Sequence, residues 1–417
     1  LHKAIRRQRQ MCIRDSTYTE SITNSGGIYG DIDLFRETSY NRVLEDTWVG
    51  CYEGIKRCNI VLDNIESVQM DETAKKKYKG EMLFIRALTY FNMVRLWGDV
   101  PLVIHYFDDP FQTFGFGRSP VNDVYEQIKN DLIEASKILP EAPDSKRLGT
   151  AVSGSAKTLL GKVYLTLKDY DNAVKILKEV IDSKQYTFIQ DYTELFDVDN
   201  KNNSESIFEI QYTEAVTDLG SAFANLFAPI GSSEVTGGIG ATEGNNEPTR
   251  NFYESYNIDD LRRDVSIGQL ADGRIYCKKF VKKPVLPNQS NANFVVLRYT
   301  DVLLMYAEAL NEISYSSSGD AIKYLNEVRQ RAGLQLYTSQ QITGKDEFRN
   351  LIWDERRCEF AFENQRWFDL LRSGKAVEVM NKSSNGDFAI EPYQLLFPIP
   401  QNQIDIAPDV MKQNDNY

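Results

Sequence analysis

A chain of 417 residues has room for one large domain or two or three smaller ones, and it can bury a sizeable core without disulfides. Acidic side chains number 60 against 48 basic ones, and the net charge of −12 sets aside duplex nucleic acid or an anionic membrane surface as the main partner. No apolar run reaches the roughly 18 residues of a spanning helix, and 2 His leave little for a metal or acid–base site, whereas 23 Tyr and 21 Phe offer many stacking surfaces.

The first sixteen residues, LHKAIRRQRQMCIRDS, are basic in an otherwise acidic chain. They read as a non-native or disordered tail, without the apolar stretch of a signal peptide. The five Cys (Cys12, Cys51, Cys58, Cys277, Cys358) form no CxxC pattern. Cys51 and Cys58 stand two helical turns apart, about 10 Å along the axis and too far to bridge, so buried free thiols are expected.

Apolar residues recur at three and four residue intervals over 41–65 and 73–97, which predicts two long helices stopped by Gly98 and Pro101. The second, EMLFIRALTYFNMVRLW, is apolar nearly all round and belongs inside a helical layer. Residues 105–119 then read as a loop carrying Phe107, Phe111, Phe114 and Phe116, and helix resumes over 121–139. Residues 153–183 pattern as a tetratricopeptide-like hairpin about a Lys168–Asp171 turn, and 297–332 repeat it in degenerate form. A hairpin of this kind leaves an apolar face uncovered, so stacking on its neighbours is expected. Between the copies, 185–294 reads as loops with short strands near 187, 205–212 and 274–281. The run DVDNKNNSE at 197–205 fails the calcium-loop spacing and reads as an Asx-rich turn. No zinc pattern, phosphate-cradling Gly loop or nucleophile elbow appears, so neither metal nor cofactor is expected.

The last periodic stretch, 346–375, reads as one helix whose wheel places Arg356, Glu359, Glu363 and Arg366 on the apolar face of Phe348, Ile352, Phe362 and Leu370. Charges in such a place are seldom buried unless paired, which predicts a buried structural ion network among these four, with Arg366 a partner whose loss is costly. Two carboxylates also suggest a glycosidase, but flanking Arg would hold them ionised rather than tuned for acid catalysis.

RRCEFAFENQRWFDLLRSGK (356–375) closely resembles the C-terminal motif of the SusD/RagB family of nutrient-binding outer-membrane lipoproteins. FIRALTYFNMVRLWGDVPLV (84–103), LRYTDVLLMYAEALNE (297–312) and LLFPIPQNQIDIAPDVMKQNDNY (395–417) resemble further blocks of that family, in its order. The resemblance implies a mostly α fold of tetratricopeptide-like hairpins with a loop-rich face and small β-strands. One domain is expected over 17–417, with a helical scaffold at 41–183 and 297–375, a loop and strand insertion at 185–294, and an extended C-terminal segment at 376–417. It further implies a non-catalytic protein on the outward face of the outer membrane that captures a glycan or other nutrient for a SusC-like TonB-dependent transporter. Membrane contact would run only through a lipid anchor, which is not in the sequence as given.

Sugars present C–H faces and hydroxyl rims, so capture calls for flat aromatic rings beside Asp, Asn and Arg. Three regions offer the mixture: Tyr29, Asp31, Asp33 and Phe35 within 29–40; Phe114, Phe116 and Arg118 within 107–118; and Phe223, Phe227, Phe252, Tyr253 and Tyr256 within 223–256. Trp48, Trp97, Trp353 and Trp367 are assigned to packing. The rival readings are a glycoside hydrolase using Glu359 or Glu363, and a tetratricopeptide adaptor that docks a peptide in its helical groove.

Overall fold

The computed structural model describes residues 17–18, 28–384 and 388–417; the basic stretch with Cys12 lies outside them. The fold is mostly helical. After a short helix α1 (Ile28–Asp33) come the two long helices expected from the pattern, α2 (Arg42–Asn64) and α3 (Glu72–Trp97). Asn41 Oδ1 accepts the Val43 and Leu44 amides at the start of α2, and Asp71 accepts the Ala74 amide at the start of α3, so each helix satisfies a first-turn donor. Helix α3 buries side chains on all sides, among them Phe84, Leu88, Phe91 and Val94. It ends at Gly98, whose φ of +72° only glycine adopts freely.

Helices α4 (Val121–Ile138), α5 (Ser153–Thr166) and α6 (Tyr170–Asp182) continue the layer, each packing on the one before it. In the α5/α6 hairpin the helices approach so closely that a Cβ on Gly161 would lie 2.4 Å from Leu177 Cδ2. The second copy, α7 (Tyr299–Ile313) and α8 (Asp320–Arg331), stacks α7 on α6, and α9 (Lys345–Glu359) covers α7 in turn. Each hairpin thus buries the apolar face of the next, as the repeat pattern requires. Trp48 and Trp97 meet edge to face in this core with ring centroids 5.3 Å apart. Cys51, Cys58 and Cys277 are buried free thiols, and Cys358 is a half-buried one.

Among the described residues, strands of the 185–294 insertion and its flanks form three two-stranded sheets: β1 (Thr17–Tyr18) with β3 (Glu247–Pro248), β2 (Ser206–Ile210) with β6 (Phe294–Arg298), and β4 (Ile267–Gln269) with β5 (Ile275–Cys277), all antiparallel. The expected strands at 205–212 and 274–281 contain β2 and β5, whereas the run near 187 forms none. Asp197 Oδ1 accepts the Asp199 amide at 2.9 Å, the Asx turn expected there.

The single helix expected over 346–375 is two, α9 and α10 (Arg366–Ser373). Phe362 at φ +66° and Asn364 at φ +64° turn the chain between them, and no Gly or Pro marks the break. The segment 376–417 then returns across the N-terminal part: the Phe397 amide donates to Leu96 O at 2.7 Å, the Gln401 amide to Ser39 O at 2.9 Å, and Gln394 Nε2 to Phe35 O at 2.7 Å.

This return buries Glu37, whose Oε1 lies 3.3 Å from Tyr417 Oη. Burial, with Asp31 adding repulsion, pushes the Glu37 carboxyl up to about 8. A raised folded-state value means that the folded form keeps a proton the unfolded chain has released. The contribution to stability is therefore complete below the unfolded value and lost as pH rises toward 8. Glu37→Gln is expected to melt higher than the wild type, with a gap that widens from pH 5 to pH 8 in thermal unfolding. A constant gap would place the titration elsewhere.

Candidate functional site

A cleft of about 380 Å³ opens between α2, the 101–116 segment and the C-terminal return. Helix α2 supplies its floor with Trp48, Tyr52 and Ile55, and one wall with Val49, Glu53 and Lys56. Tyr106, Phe107, Thr113, Phe114 and Phe116 face them from the loop, and Gln403, Ile406 and Met411 close the third side. Phe111, Phe114 and Phe116 are 72%, 44% and 36% exposed, an unusual outlay of aromatic surface to water. The rings are paired edge to face, Phe107 with Phe116 at 5.3 Å and Phe111 with Phe114 at 5.2 Å.

Both ends of this loop are fixed. Asp131 on α4 takes Arg86 of α3 in a fork of two 2.8 Å bonds, and Arg86 Nη1 reaches Asn59 Oδ1 at 2.9 Å and the Ile104 carbonyl at 3.1 Å. Asn59 Nδ2 then donates to the carbonyls of Val103 and His105 at 2.9 and 3.1 Å. Asp63 accepts the Tyr106 amide at 2.7 Å and lies 3.0 Å from His105 Nδ1. At the far end Arg118 donates from Nε to Asp99 O, from Nη1 to Lys412 O, and from Nη2 to Trp97 O and Asn414 Oδ1. The aromatic tip is thus displayed on a preorganised frame, which lowers the entropic cost of closing on a ligand.

Of the three regions expected to bind, only the second contributes to this cleft, through Phe114 and Phe116. Arg118 is a correction: every guanidinium nitrogen bonds to the frame, so it positions the loop, and it is not among the residues that line the cleft. In the first region, Tyr29, Asp31 and Asp33 sit on α1 rather than in a loop. Tyr29 packs on Ile32, Val43 and Leu44, Asp31 is half-buried and Asp33 fully buried. Phe35 packs against Trp367 and Phe388 at 5.6 and 5.7 Å.

The third region is also corrected. Phe223 and Phe227 are 3% exposed and stack in the core of the β2/β6 sheet, while Phe252 and Tyr256, 0% and 5% exposed, fill a second small core with Ile267 and Ile275. A ring with no open face cannot take a sugar. Tyr253 is half-buried, its ring flanked by Arg250 and Arg263 at 5.5 and 5.4 Å.

The ion network expected on the last helix is buried, with partners other than those the wheel gave. Arg356 donates to Asp301 on α7 at 2.8 Å and to Asp369 on α10 at 2.9 Å. Glu359, 0% exposed, accepts from Arg298 at 2.7 Å, Arg331 at 2.5 Å and Arg262 at 3.1 Å. Glu363 is held by Arg298 at 2.7 Å and Lys279 at 2.9 Å. Burial by itself raises the Glu359 carboxyl, yet Arg331, Arg298, Arg262 and Lys279 together hold it well below the usual carboxylate range. Arg366 stands half-buried at the start of α10, and the side chain that reaches both Glu359 and Glu363 is Arg298. No group of acidic, Cys and His side chains among the described residues has metal-ligating geometry.

Comparison with known proteins agrees with the fold. Residues 209–417 match the family described as "SusD family", and residues 7–165 match one described as "Starch-binding associating with outer membrane". A curated relative, "SusD-like protein P2" of Formosa agariphila, is 28% identical over 429 residues, covering 93% of this chain and 83% of its own. A solved "Laminarin binding SusD-like protein" superposes with a TM-score of 0.85 at 27% identity, over 100% of this chain and 94% of that one. The "Surface glycan-binding protein A from Bacteroides thetaiotaomicron in complex with laminarihexaose" does so with a TM-score of 0.83 at 26% identity, over 99% and 93%.

Proposed function

The chain belongs to the SusD family, and on that premise we propose that it captures an oligosaccharide in the α2 cleft without altering it. In this reading it works at the outward face of the outer membrane and passes its cargo to a SusC-like TonB-dependent transporter. The observation that carries the reading is the pair of exposed aromatic rings, Phe114 and Phe116, lining a cavity of about 380 Å³, with the exposed Phe111 ring packed on Phe114. That volume lies in the usual range for small-ligand sites. A pyranose lays its C–H face on Phe114 or Phe116, and its hydroxyls turn to Glu53, Lys56 and Gln403, so contact area and hydrogen bonding come from opposite walls.

Retention without reaction fits the carboxylates. Glu359 and Glu363 are buried, each bonded to several cations, and neither lines the cleft. A glycosidase needs a solvent-accessible pair with one member raised toward neutrality, and Glu359 is held in the opposite direction. The two laminarin-binding neighbours support a glycan as cargo.

The test is calorimetric titration with starch-derived and laminarin-derived oligosaccharides, followed by chromatography of the recovered sugar. Saturable binding with intact sugar is expected. Shortened products would move the protein to the hydrolases, and saturation by extended peptides alone would favour an adaptor.

A further inference from the structure

We infer that the cleft takes uncharged oligosaccharides and rejects sulfated or uronic ones, an inference that rests on the capture reading and narrows its cargo. Recognition of a sulfate ester or a uronate needs a free guanidinium fork or a pair of ammonium groups at the sugar's edge. The lining offers neither: its charged side chains are Glu53 and Lys56, three residues apart on α2, with the exposed ring of His105 beyond them.

Three of the cations that stand nearby are bonded to the frame. Arg118 gives all its nitrogens to carbonyls and to Asn414. Arg86 is locked in its fork with Asp131, and Lys412 Nζ donates to Pro408 O at 2.8 Å. Carboxylates, by contrast, collect at the mouth. Asp108 and Asp109 are exposed on the loop, Asp63 keeps part of its side chain open beneath His105, and Glu53 is exposed on the wall. A carboxylate accepts from neighbouring sugar hydroxyls and repels a charged substituent over the screening distance, about 10 Å at 0.1 M salt. The chain's net charge of −12 acts in the same sense at longer range. An anionic sugar would therefore enter an acidic mouth and find one ammonium in the lining, Lys56, with the Glu53 carboxylate one helical turn away.

The test compares neutral gluco-, manno- and xylo-hexasaccharides with the same hexasaccharides bearing sulfate esters, titrated at low and at high salt. For whichever sugar binds, the sulfated form is expected to bind at least about tenfold more weakly at low salt, with the gap narrowing as salt rises. Glu53→Gln is expected to narrow the gap at low salt while leaving the melting temperature unchanged, since Glu53 is exposed. Equal or tighter binding of the sulfated form, lost in Phe114→Ala, overturns the neutral class and leaves capture in the cleft standing. Binding of neither form, or binding indifferent to Phe114→Ala, overturns the capture reading and this inference with it.

Discussion

Arg298→Ala is expected to cost about 3–5 kcal/mol, enough to prevent a stable fold in many backgrounds. Arg298 leaves the end of β6 and reaches three carboxylates at once: Glu205 at 3.1 Å, Glu359 at 2.7 Å and Glu363 at 2.7 Å. Its Nη2 also donates to the Glu359 carbonyl at 3.0 Å, and the Phe360 ring lies 4.4 Å from its guanidinium carbon. Lys279, Arg331 and Arg262 remain when it is removed, but they approach from other directions, and Arg262 is also shared with buried Asp260 and Glu355, so five buried carboxylates are left to three buried cations. A buried pair contributes little against an apolar replacement, yet breaking one side of it is severe, because the surviving charge has no water to turn to. Arg298→Lys keeps the charge and loses the fork, so its loss is expected to be smaller.

The pH dependence has a definite sign. Glu359 is held low in the folded state, so its contribution is present above the unfolded carboxylate value and lost as pH falls below it. Denaturant unfolding of the wild type should weaken below about pH 4.3, the value of an ordinary Glu, and Glu359→Gln should flatten that limb. A change under about 1 kcal/mol on removing Arg298, the level of a surface pair, would mean that the network is open to solvent.

The helices were legible because their signal is local. Apolar spacing, with Gly98 and Pro101 as a stop, placed α2 and α3 within a residue or two of their observed limits. The network's members were legible only on the helix that was read. Arg356, Glu359 and Glu363 carry a periodic signal, whereas Glu205, Arg262, Lys279, Arg298 and Arg331 come from strands, turns and another hairpin far along the chain. The wheel assumed an unbroken helix through Arg366, and the break rests on positive φ at Phe362 and Asn364, which single-residue composition does not announce. The aromatics of 223–256 misled for a related reason. Loop-rich sequence resembles surface, but strands drawn from 206–210 and 294–298 gave Phe223 and Phe227 a core of their own. In the cleft, the Phe114 and Phe116 rings were legible from composition, while Glu53, Lys56 and Gln403 were hidden in helices whose outward faces look like any solvated surface.

The double change Phe114→Ala/Phe116→Ala is expected to weaken oligosaccharide binding by about tenfold or more, about 1.4 kcal/mol or above, and to leave unfolding nearly where it was. Both rings already stand 44% and 36% exposed, so their removal opens no internal cavity, and exposed substitutions ordinarily shift stability by about 0.5 kcal/mol. What is lost is contact area on a loop end that Asn59, Asp63 and Arg118 hold still, so the remaining frame cannot move to recover it. Phe223→Ala should show the opposite profile. That ring is 3% exposed among Phe227, Phe280 and Phe294, and emptying its site should cost about 3–5 kcal/mol while the folded fraction keeps its affinity. Crossed melting and titration curves for the two variants separate the readings. Should Phe223→Ala weaken binding at unchanged stability while the double variant binds normally, the sugar sits on the strand insertion and the α2 cleft is only a gap in the packing.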